Sequence, residues 1–137
     1  MSFSRHTIRI AAFQTLFALI NNPSADKTVL YAEVLKLGSK ETAPQYLDEL
    51  VSGVQEHQAD LDAMISSYLT NHWTIERLAR PNLVILRIAL YELQYEKQLP
   101  APIVINEALE LAKSFSDDKS RRFINGVLGH YEKEHAN

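Results

Sequence analysis

Two groups of cations stand where they could engage a polyanion. Arg5 and Arg9 lie four residues apart near the N-terminus, a spacing that puts both on one face of a helix. Lys119, Arg121 and Arg122 run directly into Phe123, with Lys113 a few residues upstream. Both groups fall in the first turns of expected helices, where the macrodipole disfavours a cation by a few tenths of a kcal/mol. An anion bound at such a helix end meets guanidinium groups and free backbone N–H groups together. Cations for phosphates beside a ring for base stacking is also the usual make-up of a single-stranded RNA site. Solvated helix ends account for the same residues, and Phe123 also falls on the core row of its helix. Gly126, inside that helix, costs roughly 1 kcal/mol relative to Ala and suggests close approach by a backbone or a ligand.

No other residue pattern points to chemistry. The chain has no Cys, which excludes disulfides, thiolate metal sites and cysteine nucleophiles. There is no Gly-rich phosphate loop and no nucleophile elbow. His6, His57, His72, His130 and His135 form no metal-ligand spacing with one another or with a carboxylate. Glu107 and Glu110 lie three apart on one helix, followed by Lys113, and read as a solvated edge. The expectation is a protein that is not an enzyme and uses no metal or other cofactor.

Composition sets the class. At 137 residues, with 46% hydrophobic and 23% charged, the chain is the size of one globular domain spanning residues 1–137. No signal peptide pattern opens it. Its most apolar stretch, residues 83–91, contains Arg87 and is too short to span a bilayer, so a cytoplasmic protein without membrane contact is expected. The net charge of −3 conceals segregation. The first 25 residues hold Arg5 and Arg9 and no acid, whereas residues 41–76 hold seven acids and neither Lys nor Arg. A mildly acidic protein can still bind a polyanion if folding joins its basic segments.

The elements that must position these residues are helices. Apolar residues recur at helical spacing almost throughout, with no sustained period-two alternation. A first helix should run from about Ser4 to Ile20, with Ile8, Ala12, Leu16 and Leu19 in one row and Phe13, Phe17 and Ile20 in another. Ser24 is the expected N-cap of a second, with Val29, Leu30, Val34 and Leu37 inward and Gly38 as its stop. Pro44 suits the first turn of one long third helix reaching about Leu69. Thr74 caps a short turn through Leu78. Pro81 opens a helix to about Tyr95 that is apolar almost all round and so must be surrounded by others. Its single cation, Arg87, needs a carboxylate or carbonyl partner if buried. Pro100 and Pro102 precede a helix to about Phe115. Asp117 and Asp118 suit the N-terminal dipole of a last helix carrying Phe123, Ile124, Val127, Leu128 and Tyr131 inward. The fold class is all-α: a compact bundle of about seven helices, a three-helix N-terminal part packed on a C-terminal part.

At this level the residues resemble a known family over nearly the whole chain. Leu86-Arg87-Ile88-Ala89-Leu90-Tyr91-Glu92-Leu93 is similar to the central helix of the bacterial transcription antitermination factor NusB family. Residues 105–115, INEALELAKSF, are similar to its next helix, and Phe123-Ile124-Asn125-Gly126-Val127-Leu128 to its last. Arg9-x-x-x-x-Gln14-x-Leu16-Phe17 resembles its arginine-rich opening helix. The resemblance implies an all-α protein with no catalytic activity. It implies binding of the single-stranded boxA segment of ribosomal RNA leaders, together with the ribosomal protein NusE. It further implies an indirect association with other Nus factors and RNA polymerase, which then reads through terminators.

Carried over position by position, the implied RNA contacts are Arg5, His6, Arg9, Lys113, Lys119, Arg121, Arg122 and Phe123. The implied NusE contacts are Phe17 and Asn82. Several positions depart from the family pattern. The opening arginine cluster is sparse, with His6 and Thr7 where relatives often have Arg. Phe17 lacks the hydroxyl of a common Tyr. Asn82 stands where a carboxylate often faces NusE, and Lys119 where an acid is common. Two other readings share these residues: the non-catalytic RNA-binding module of a ribosomal RNA methyltransferase, although no methyl-donor motif occurs in the 137 residues, and a helical protein–protein adaptor, which would leave both basic segments unused.

Overall fold

A computed structural model describes residues 3–70 and 72–135. Among them are seven α-helices, one 3₁₀ turn and no strand. The chain divides into two compact units, the first ending at Gln55 and the second beginning at Glu56.

In the first unit, α1 (Arg5–Asn21) starts where Ser4 Oγ accepts the Thr7 backbone N–H at 3.0 Å, satisfying one orphan donor of the helix end. Ile8, Ala12, Leu16 and Leu19 are buried, as is Phe13, while Phe17 and Ile20 are half-buried. The next helix, α2 (Lys27–Leu35), departs from expectation at both ends. Its cap is Asp26, whose carboxylate accepts from Thr28 N–H at 2.8 Å. Ser24 instead turns its hydroxyl to Asn22 Oδ1. The helix stops before Gly38 because Lys36 takes the left-handed conformation, φ 55°, and Leu37 N–H closes back on Ala32 O at 2.9 Å. The inward residue is Tyr31; Val29 is 52% exposed, and Leu30, Val34 and Leu37 are only half-buried. The Tyr31 hydroxyl donates to Asp48 Oδ1 at 2.7 Å, tying α2 to α3 (Gln45–Glu56). Burial, and then this carboxylate, push the Tyr31 pKa well above the ordinary phenol value. Lys27 Nζ adds hydrogen bonds to Ser52 and Gln55 of α3.

The single long third helix does not form. It divides at His57, where φ −101° and ψ 14° end one helix and begin α4 (Gln58–Tyr68). Leu50, Val54, Leu61 and Ile65 keep helical spacing across the break, and neither Gly nor Pro marks it. The imidazole of His57 stacks on Tyr95, centroids 4.1 Å apart. That contact belongs to tertiary packing and leaves no trace in local periodicity.

In the second unit, α4 leads through a 3₁₀ turn (Ile75–Arg77) to α5 (Arg80–Tyr95), α6 (Ala101–Phe115) and α7 (Asp118–Glu134). Pro81 opens α5 and Pro102 sits in the first turn of α6, where a missing N–H costs nothing. α5 is buried along nearly its whole length and packs against α4, α6 and α7. Arg87 is 8% exposed and meets Asp62 of α4 with two hydrogen bonds, Nε to Oδ1 at 2.8 Å and a terminal nitrogen to Oδ2 at 2.9 Å. At the far end, Tyr131 of α7 donates to Gln94 Oε1 at 2.8 Å. No described helix is long and apolar enough to cross a membrane.

The Arg87–Asp62 pair generates a stability prediction. Asp62→Ala leaves a buried guanidinium without its carboxylate, which for fully buried pairs costs ~3–5 kcal/mol. The Asp62 side chain keeps 25% of its exposure, so a loss of about 2 kcal/mol is expected. Replacing both partners with apolar residues, Asp62→Leu with Arg87→Met, should recover much of that loss in urea unfolding.

Candidate nucleic-acid interface

The start of α7 concentrates cations because of how it is capped. Asp117 holds an extended backbone conformation, and its carboxylate accepts the Ser120 N–H at 2.7 Å. This hydrogen bond and the Ser120 side chain, with lesser help from nearby Lys119 and Arg122, hold its carboxyl below the ordinary aspartate range against the opposing effect of desolvation. The acid thus serves the helix end, and Lys119, Arg121 and Arg122 are all exposed. Lys113 is exposed in the last turn of α6, where the dipole favours a cation.

Phe123 is half-buried and borders two cavities. The first, of about 370 Å³, is lined by Trp73, Arg77, Asn82, Lys119, Ser120 and Phe123 among others. The second, of about 280 Å³, includes Tyr68, Trp73, Arg122, Phe123 and Gly126. Trp73 and Phe123 are common to both, and no carboxylate lines either. The structure therefore brings Lys119, Arg122, Phe123 and Asn82 together within the second unit and adds Trp73 and Arg77.

Those two residues are missing from the sequence-based site. A tight turn places them. His72 adopts φ 69°, Trp73 N–H donates to Thr70 O at 3.2 Å, and Arg77 donates to His72 O at 3.4 Å. The Arg77 guanidinium lies 5.2 Å from the indole centroid, a cation–π distance. The available signal was an isolated Trp with an Arg four residues on, the first Lys or Arg after an acid-rich stretch.

Other site residues land differently from expectation. Asn82 is 6% exposed. Its amide donates to Ser120 Oγ and its carbonyl accepts from Ser116 Oγ, each at 2.9 Å. It binds the start of α5 to the α6–α7 corner, rather than standing free like a surface carboxylate. Phe17 is half-buried, its ring 6.0 Å from that of Phe13. Arg5 and His6 are exposed, and the Arg5 guanidinium lies 4.7 Å from the Tyr46 ring centroid. Arg9, expected on a solvated face, is 3% exposed. The reason is its spacing: Phe13 and Phe17 lie four and eight residues on, so Arg9 heads the second apolar row of α1. Gly126 also differs. A Cβ there would meet nothing within 4 Å, so no other segment of the described protein packs against it.

These residues sit in a recognisable whole. The family model described as "NusB family" matches residues 6–133. The chain belongs to the NusB family. It is 54% identical over 130 residues to the transcription antitermination protein NusB of Limosilactobacillus fermentum, covering 95% of this chain and 94% of that one. Among solved structures it is similar to NusB of T. maritima, with a TM-score of 0.83, 32% identity, and coverage of 100% of this chain and 96% of that one. It is also similar to a chain in a crystal structure of the antitermination factors NusB and NusE in complex with dsRNA, with a TM-score of 0.80, 27% identity, and coverage of 96% and 97%. The all-α architecture is thus that of the NusB family.

Two predictions come from α7 of this NusB-family chain. Gly126→Ala meets no atom and gains helix propensity, so it should raise stability by about 1 kcal/mol in chemical unfolding. The Asp117 carboxyl, lowered from an ordinary value of 3.8, contributes stability that is fully present above that value and lost as pH falls through the lowered one. Asn caps as well as Asp, so Asp117→Asn should keep α7 capped near neutrality and flatten the acid limb of stability against pH.

Proposed function

We propose that the protein is a transcription antitermination factor that binds the single-stranded boxA segment of ribosomal RNA leaders together with ribosomal protein NusE, and through that complex acts on RNA polymerase with other Nus factors. The observation that carries this reading is the cation-rimmed, carboxylate-free pair of cavities around Phe123, in a chain of the NusB family. Exposed Arg5 and His6 of α1, Lys113 of α6, and Lys119, Arg121 and Arg122 of α7 contact phosphates, with Arg9 beneath the α1 surface. Phe17 and Asn82 contribute to the NusE contact, Asn82 by fixing the α6–α7 corner. The protein works by binding rather than catalysis, takes no cofactor or metal, and acts in the cytoplasm.

The test is binding of a boxA-type single-stranded RNA to the full chain, alone and with NusE, over a range of salt. Affinity should rise when NusE is present and exceed that for a duplex of the same sequence. On a single strand the log–log salt slope is about −0.7 per phosphate neutralised. Arg5→Ala should weaken binding and flatten the slope by about 0.7, and Arg121→Ala with Arg122→Ala by about 1.4, the latter pair with an unchanged melting curve. Arg9→Ala should lower the melting temperature as well, because it empties a buried position. Absence of RNA binding both with and without NusE overturns the reading.

A further inference from the structure

We infer that the 370 Å³ cavity is a seat for one unpaired nucleobase, which stacks on the indole of Trp73 while Arg77 and Lys119 hold the flanking phosphate. The inference rests on the RNA-binding reading and assigns a subsite within it. Trp73 is 50% exposed, an unusual amount for the largest apolar side chain. Its neighbour Arg77 lies over the ring and Phe123 borders the same space. The volume falls at the lower end of small-molecule sites, ~300–1,000 Å³. Every charged residue lining it is a cation, which favours an anionic occupant with a flat face over a neutral apolar side chain. Ser120 and Asn82 supply polar atoms. A base in a duplex cannot present its face to an indole without leaving the stack, so this seat selects unpaired strand.

Trp73 is the single tryptophan of the chain, so tryptophan emission reports on what lies against its indole. The full chain is titrated with a dye-labelled boxA-type single-stranded RNA, reading dye anisotropy for binding and tryptophan emission for occupancy. The expected result is quenching in step with anisotropy. Trp73→Ala should weaken affinity by about 5- to 150-fold with little change in salt slope, whereas Trp73→Phe should retain most of it. Independently of any variant's folding, an abasic substitution at one nucleotide should abolish the quenching of the unaltered protein. That same RNA should bind Trp73→Ala no more weakly than the intact RNA does, the signature of a coupled pair. Anisotropy that reports binding while emission stays constant, with no abasic position affecting it, overturns the subsite and leaves the RNA-binding reading standing. Emission that responds to NusE, monitored against NusE by itself, but not to RNA also overturns it and assigns the cavity to a protein side chain. No anisotropy change with or without NusE overturns the subsite together with the reading it rests on.

Discussion

The second unit depends on α5, a helix with no polar face to give to water. Its residues from Leu83 to Leu90 are all buried, so it is stable only inside a cage, and α4, α6 and α7 form that cage. Hydrophobic burial drives the enclosure but is non-directional; it does not say how far α4 slides along α5. The bidentate contact of Arg87 with Asp62 does. Planar, two-point recognition tolerates little displacement, and a guanidinium this buried is costly in any register that leaves it unpaired. A charge in the most deeply buried helix therefore sets the register of its neighbour.

The same helix positions the candidate interface. Its first turn carries Asn82, whose amide holds Ser116 and Ser120 on either side of the α6–α7 corner. That corner includes the Asp117 cap, so the direction in which α7 leaves is tied to the buried end of α5. Upstream, the left-handed His72 and the 3₁₀ turn bring Trp73 and Arg77 to the same cavity as Lys119 and Phe123. Segments some forty residues apart in sequence thus share one rim.

Electrostatics at this rim run against the overall charge. The protein carries a net −3, yet the cavities are lined only by cations and neutral groups. Asp117, which caps the helix carrying these cations, is itself engaged with the α7 backbone. The cations that follow it occupy a helix end that disfavours them, and an anion bound there relieves that conflict. An open helical surface at Gly126 borders the smaller of the two cavities.

Much of this was legible from local pattern. Period and punctuation identify seven helices less one break: the start of α1 near Ser4, Pro81 at the opening of α5, Pro100 and Pro102 between α5 and α6, Asp117 before α7, and a nearly all-apolar α5 that must be enclosed with a partner for Arg87. These features rest on interactions within a few residues of each other, or on a burial requirement that composition states directly. The tertiary structure decided the remainder. At His57, where α3 gives way to α4, the imidazole stacks on a residue of another helix. Tyr31 rather than Val29 turns inward because its hydroxyl finds Asp48. Asn82 is absorbed by two serines far along the chain. Trp73 and Arg77 join Phe123 only when α7 folds back beside the turn that carries them. Arg9 lies between the cases, since its place on the Phe13 row was present in the spacing and was hidden by its charge. Local sequence specifies what a few neighbouring residues can satisfy among themselves, whereas partners distant in the chain are chosen by packing, which periodicity does not record.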